Sequence, residues 1–260
     1  MLKSVMKLDE LKWNWDELGK EDPLWAILTR QEMKGNQWEI QTFFETGQKR
    51  IHEVFAYLDD LQLNVAFGSA LDFGCGVGRL TQPLATKFKK VVGVDIAPSM
   101  LTLANQYNSH PESCSYHHND QNHLAIFQDD SFDFILSIIV LQHMPPTYAM
   151  DYIVEFVRTL KHGGLAFFQL PDHYIGPVYV PPKLNLTQKI KGRLNQLVHL
   201  LSPPNSQPKA GRIAHMDMYG IPKKELIAFL NKLPIEILDV TSDSKVANNW
   251  VSNQYIIRKK

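Results

Sequence analysis

The chain has 260 residues, 44% of them hydrophobic, enough for one large core and suited to a single α/β domain with appendages. Lysine plus arginine and aspartate plus glutamate number 27 each, so the net charge is zero and no global field recruits nucleic acid. Cys75 and Cys114 are poorly placed to pair and show no metal-ligand spacing; with no long apolar leader and no run able to span a bilayer, the cytoplasm is the expected compartment.

Residues 1 to 65 read as a helical extension. Trp13, Trp15, Trp25 and Trp38 all fall there, with core packing as their default role. Pro23 after Asp22 marks a helix start. From Trp38 to Leu61 the apolar residues Ile40, Phe43, Phe44, Ile51, Val54, Phe55, Leu58 and Leu61 recur at helical spacing, a helix predicted to be interrupted at Gly47.

Next, an apolar run ends in Asp72 and passes into Gly74, Gly76 and Gly78, followed by a helical pattern: a strand, a tight turn and a helix start. Glycine there tolerates positive φ and lets the backbone approach a ligand, while the following helix offers free N–H groups. A dinucleotide fingerprint needs its third glycine three places after the second, where this chain has Arg79. Asp72 would also repel a pyrophosphate but suits an ammonium group. Asp72-Phe73-Gly74-Cys75-Gly76-Val77-Gly78 resembles the D-x-G-x-G-x-G motif of class I S-adenosylmethionine-dependent methyltransferases.

The segments that follow keep to that pattern. Val91–Asp95 is a second apolar run with an acid at its tip, where a carboxylate can accept both ribose hydroxyls; dinucleotide enzymes share this feature, so Asp95 argues for a nucleoside without choosing between the two. Pro98 starts the next helix. Ser115–Asp120 reads as a third strand with a polar tip, and Phe132–Ser137 as the fourth. Val140-Leu141-Gln142-His143-Met144-Pro145 resembles a continuation common in the small-molecule branch of the family. A helix over Asp151–Leu160 is expected to stop at Lys161-His162-Gly163-Gly164, before a fifth strand at Leu165–Leu170. A long connection, Pro171–Tyr219, precedes a last helix at Pro222–Leu233 and two strands, Ile235–Val240 and Trp250–Arg258. Alternating strands and helices call for a parallel sheet with ligands at the carboxyl ends of its strands.

The resemblance implies an α/β, Rossmann-like, seven-stranded, mostly parallel sheet flanked by helices. Residues 66–260 would form the methyltransferase domain; the extension at 1–65 and a substrate-cap insertion at 171–219 would form a lid. It implies S-adenosyl-L-methionine as cofactor, held by Asp72, Gly74, Cys75, Gly76, Arg79, Asp95, Ile96, Met100, Asn119, Asp120 and Ser137, with Thr46 and Gly47 reaching the methionine end. Asn119 and Asp120 would meet the adenine amino group; Arg79 would pair with the cofactor carboxylate or with Asp72. The expected reaction is O-methylation of a small molecule or glycan, with His143 as base and His173 and His215 as further candidates. N-methylation needs no strong base and is the alternative, beside a non-catalytic binding protein. Asp172, His173, His215 and Asp217 form an alternative metal set. Lys183, Lys189, Lys191, Arg193, Lys209 and Arg212 in the insertion read as the solvated side of a cap helix, or as a surface for an anionic acceptor or a membrane.

Overall fold

Seven apolar runs pair into one sheet: β1 (Ser69–Phe73), β2 (Lys90–Asp95), β3 (Cys114–His118), β4 (Phe132–Ser137), β5 (Leu160–Tyr174), β6 (Ile235–Ser242) and β7 (Trp250–Lys259). The structure, a computed structural model, describes residues 6–176, 212–242 and 249–260. Two compact units divide the chain, Met1–Ile175 with Ala214–Lys260, and Gly176–Ile213. The second unit lies almost wholly outside the described residues, and with it Lys183, Lys189, Lys191, Arg193 and Lys209 of the expected cap.

Strand order is β3-β2-β1-β4-β5-β7-β6. The first five strands run parallel, and β7 lies antiparallel between β5 and β6. Leu71 of β1 sits opposite Val92 of β2 and Ile135 of β4. The chain order therefore reverses at β1, and the crevice for a ligand opens at the carboxyl ends of β1 and β4.

Alternation along each strand feeds two cores, because successive side chains point to opposite faces. On one face Phe134, Phe167 and Ile256 pack with Phe55 and Leu58 of α3 (Ile40–Asp60) and Leu84 of α4 (Thr81–Leu84). Phe134 is fully buried, with its ring centroid 5.5 Å from that of Phe55 and 5.7 Å from that of Phe88. Truncation there to alanine is worth about 3–5 kcal/mol. On the other face Ile135, Phe168 and Tyr255 pack with Phe156 of α6 (Pro146–Thr159) and with Leu226 and Leu230 of α7 (Lys223–Leu230).

A third apolar cluster joins the N-terminal extension to the sheet: Leu18 of α1 (Leu8–Glu21), Leu24 of α2 (Pro23–Ile27), Trp38 and Phe43 pack with Val77 and with Met100 of α5 (Pro98–Gln106). Nothing in α5 caps its own first turn, so its orphan donors turn to α1: the Ser99 N–H donates to Asp16 Oδ1 at 2.9 Å and the Ser99 hydroxyl to the Asp16 carbonyl. Among the described residues no helix is long and apolar enough to cross a membrane.

Several boundaries depart from the sequence reading: the last helix stops at Leu230 instead of Leu233, and β5 continues through Pro171–Tyr174, which the sequence reading gave to the insertion. Helix α3 runs through Gly47 without a break. A Cβ at Gly47 would stand 2.0 Å from the Arg79 carbonyl oxygen, so this glycine admits close packing and tertiary contact outweighs its low propensity. Helix α6 starts earlier, at Pro146, and ends at Thr159; Leu160 already pairs with Phe132, so Lys161–Gly164 belongs to β5. Gly163 takes a φ of 76° inside that irregular start instead of ending the helix.

Candidate active site

The turn after β1 is tied down by backbone before any ligand arrives. The Gly74 and Cys75 N–H groups both donate to the Val94 carbonyl, at 2.8 and 3.0 Å. Gly74 has a φ of 75°, and a Cβ there would meet Val140 Cγ1 at 2.3 Å; Gly76 has a φ of 53°, with Ile27 Cδ1 at 2.6 Å from the same virtual atom. Only glycine fits either place at no cost. Asp95 Oδ2 accepts from the Gly76 N–H at 2.8 Å and Oδ1 from the Ala97 N–H at 2.9 Å, so the tip of β2 braces the turn.

Charged groups are buried beside it. Asp72 is 2% exposed and accepts a 2.6 Å hydrogen bond from Thr81 Oγ1. Burial pushes its carboxyl up to about 6, against the pull of Thr81 and of the Arg79 charge. Arg79 is 5% exposed, its Nε has no hydrogen-bond partner, and among the described residues no carboxylate pairs with it. Burial lowers its guanidinium to about 10, with Asp72 opposing. Asp95 is also raised by burial, and the Cys75 thiol is pushed well up and inert.

One cavity is lined by Asp72, Gly74, Cys75, Gly76, Arg79, Asp95, Ile96, Met100 and Asn119. Leu11 and Trp15 of α1, Ala26 and Ile27 of α2, the stretch Ile138–Val140, His143, Met144 and Tyr152 line the rest. Four expected positions lie outside that lining. Asp120 pairs with Lys12 Nζ at 2.7 Å; Ser137 is fully buried with its hydroxyl unpartnered; Thr46 donates within its own helix to the Phe43 carbonyl; Gly47 abuts the Arg79 backbone. Ile139 has a φ of 63°, a strained state for a β-branched residue, on the cavity wall beside β4.

His143 closes the 3-10 turn Leu141–His143 and is 9% exposed. Its Nδ1 lies 3.0 Å from the Asp217 carbonyl oxygen, which only accepts, so Nδ1 carries the proton. Nε2 is then the lone-pair nitrogen, accepting from the Gln142 side-chain amide at 3.1 Å. The Trp15 ring meets the imidazole edge-on, centroids 5.0 Å apart. Burial drops this histidine to about 4, with the Asp217 hydrogen bond opposing, so it is neutral at physiological pH. His173 and His215 do not line the cavity. His173 Nδ1 stands 3.4 Å from Asp172 and His215 Nε2 3.7 Å from Asp217, and among the described residues no group of three or more His, Cys, Asp or Glu is arranged to hold a metal ion.

Sequence reasoning favoured core packing over a substrate-stacking ring for Trp15 and gave no site role to Ile27, Gln142 or Thr81. A signal existed for one of them: Leu11 and Trp15 are four residues apart on a helix, hence on one face.

Residues 71–168 match the methyltransferase domain family. Over that stretch the chain carries a methyltransferase domain. The biotin biosynthesis bifunctional protein BioHC of Cellvibrio japonicus is 36% identical over 110 residues, 42% of this chain and 21% of that protein. A ubiquinone biosynthesis O-methyltransferase of Xanthomonas oryzae pv. oryzae is 31% identical over 107 residues, 41% of this chain and 44% of that protein. The chain thus spans less than half the length of either relative. The solved magnesium protoporphyrin IX methyltransferase of Synechocystis PCC 6803, with bound SAH, matches with a TM-score of 0.61 at 17% identity, over 97% of this chain and 99% of that one, a likeness of fold. This methyltransferase domain also suits the family's cofactor chemically: a cradle that a Cβ would fill, a buried carboxylate for an ammonium, and a buried guanidinium whose Nε is orphaned.

Proposed function

We propose that the protein methylates a hydroxyl of a small-molecule acceptor, with His143 taking the acceptor's proton. The observation that carries this reading is the placement of a neutral, tautomer-fixed imidazole in the same cavity as the glycine turn, Asp72 and Asp95. Asp72 and Arg79 would hold the ammonium and carboxylate of the cofactor's amino-acid end, Asp95 its ribose, and Asn119 and Met100 its adenine. When bound, the cofactor supplies an electrophilic methyl group on a sulfonium. The chain's task is then alignment and exclusion of water, which Leu11, Trp15, Ala26 and Ile27 of the extension serve by covering the cavity.

Nε2 is the atom that receives the proton, once the acceptor hydroxyl takes the place of the Gln142 amide. A histidine lowered to about 4 is always in its basic form near neutrality but is a weak base. It therefore suits an acidic hydroxyl, such as a phenol or an enol, better than a sugar alcohol. The test is methyl transfer from labelled S-adenosylmethionine to a panel of phenols, sugars and amines, with His143→Gln in parallel. Phenol methylation that falls about 100-fold or more in the variant, with S-adenosylhomocysteine affinity intact, is the expected result. Full turnover by His143→Gln would remove the histidine from the mechanism, and activity confined to amines would replace the oxygen acceptor.

A further inference from the structure

Gln142 is 3% exposed, and while its amide nitrogen donates to His143 Nε2, its carbonyl Oε1 is buried with no partner at all. That arrangement suits only the neutral ring. Once Nε2 gains a proton, both ring nitrogens are donors, and the present amide would set N–H against N–H. A half-turn about the Cγ–Cδ bond of Gln142 replaces the nitrogen with Oε1, the acceptor now lacking a partner. The backbone need not move for this: the Tyr219 N–H donates to the Gln142 carbonyl at 2.7 Å and fixes the turn. Among the described residues the neighbours offer no substitute acceptor. Trp15 meets the ring edge-on, the Asp217 carbonyl already serves Nδ1, the Asp217 carboxylate faces His215 and Tyr219, and the other charged groups of the cavity are Asp72, Arg79 and Asp95.

We propose that Gln142 is a positioning residue that serves both protonation states of His143, donating to Nε2 at rest and turning Oε1 to accept from Nε2–H after the acceptor's proton has been taken. The inference rests on the reading of His143 given above. The acceptor hydroxyl displaces the amide and gives its proton to Nε2; as product leaves, Oε1 takes the Nε2–H bond until that proton passes to solvent. Glutamine carries both a donor and an acceptor on one rotor, which neither leucine nor glutamate does.

The test is 15N NMR of histidine-labelled protein, compared for wild type, Gln142→Leu and Gln142→Glu, with calorimetric S-adenosylhomocysteine binding on each sample. At pH 7 the wild-type ring should show a protonated Nδ1 and a hydrogen-bonded, unprotonated Nε2. In Gln142→Leu the Nε2 resonance should move to that of an unbonded nitrogen, with kcat about tenfold lower and cofactor affinity unchanged. In Gln142→Glu the carboxylate accepts permanently, so the His143 titration midpoint should rise by roughly two pH units. If Gln142→Leu does not fold, Gln142→Glu applies the same test in the opposite direction. An unchanged Nε2 resonance in the leucine variant, or an unmoved midpoint in the glutamate variant, with cofactor binding intact, would overturn the role of Gln142. Failure of the wild-type protein to bind S-adenosylhomocysteine would overturn the cofactor reading instead.

Discussion

Two regions of the cavity are built by different means. Around the glycine turn, backbone does the shaping: Gly74 and Cys75 hang from the Val94 carbonyl, and Asp95 holds the Gly76 N–H. Around His143, segments distant in sequence do it: the Trp15 ring from α1 meets the imidazole and the Asp217 carbonyl holds its Nδ1. Pre-set backbone leaves the first region little room to adapt, whereas the second can change shape by moving any one contributor. The first should therefore be intolerant of small changes and the second graded in its response.

Gly74→Val gives the sharpest test of that contrast. The new side chain would demand a φ of 75° and collide with Val140, so S-adenosylhomocysteine binding should be lost in calorimetry, with a lowered melting temperature. Tolerance of this change would mean that the turn is not rigid. Asp72→Asn keeps the shape and removes the charge; a charged hydrogen bond is worth about 1.5–3 kcal/mol, so affinity should drop roughly 10- to 100-fold.

Acid titration separates the two regions by sign. Asp72 titrates at about 6 when folded against 3.8 ordinarily, so the native state holds the extra proton in that window and stability falls as pH rises from about 4 to 6. Asp95, raised by the same burial, adds to this fall. His143, at about 4 against 6.5, acts oppositely: the unfolded chain holds the extra proton, so stability rises with pH across about 4 to 6.5. Each full shift is worth about 3 kcal/mol, and in the wild type the two largely cancel. Urea midpoints followed against pH should therefore climb more steeply in Asp72→Asn and fall in His143→Gln. Parallel profiles in both variants would contradict the assignments.

Smaller effects belong to the cover. Trp15→Leu should raise the acceptor KM several-fold and leave cofactor affinity within about threefold, since one edge-on aromatic contact is worth about 0.5–1.5 kcal/mol. Lys12→Met breaks a pair whose side chains are 33% and 39% exposed, so its cost in melting experiments should stay below about 1 kcal/mol.

How much of this was legible in the sequence follows the same division. The glycine turn and the acids at the tips of β1 and β2 announce themselves because each is set by residues within a few positions. Most strand limits followed from the same local periodicity, whereas the seven-stranded sheet was implied by the family resemblance and its order β3-β2-β1-β4-β5-β7-β6 appears only in the fold. The rest depends on contacts distant in sequence: Asp217 lies 74 residues from the histidine whose tautomer it sets. Gly47 read as a helix breaker because its reason for being small, the Arg79 backbone, is on another element. His143 led the candidates by its position after the fourth strand, with His173 and His215 behind it, and the fold leaves those two outside the cavity lining.

Calorimetric titration of the wild-type protein and Asp72→Asn with S-adenosylhomocysteine, with NAD as control, tests the central claim most directly. The account predicts micromolar binding of S-adenosylhomocysteine by the wild type, a clear loss of affinity in Asp72→Asn, and no binding of NAD. Binding of NAD, or S-adenosylhomocysteine affinity indifferent to Asp72, would contradict it.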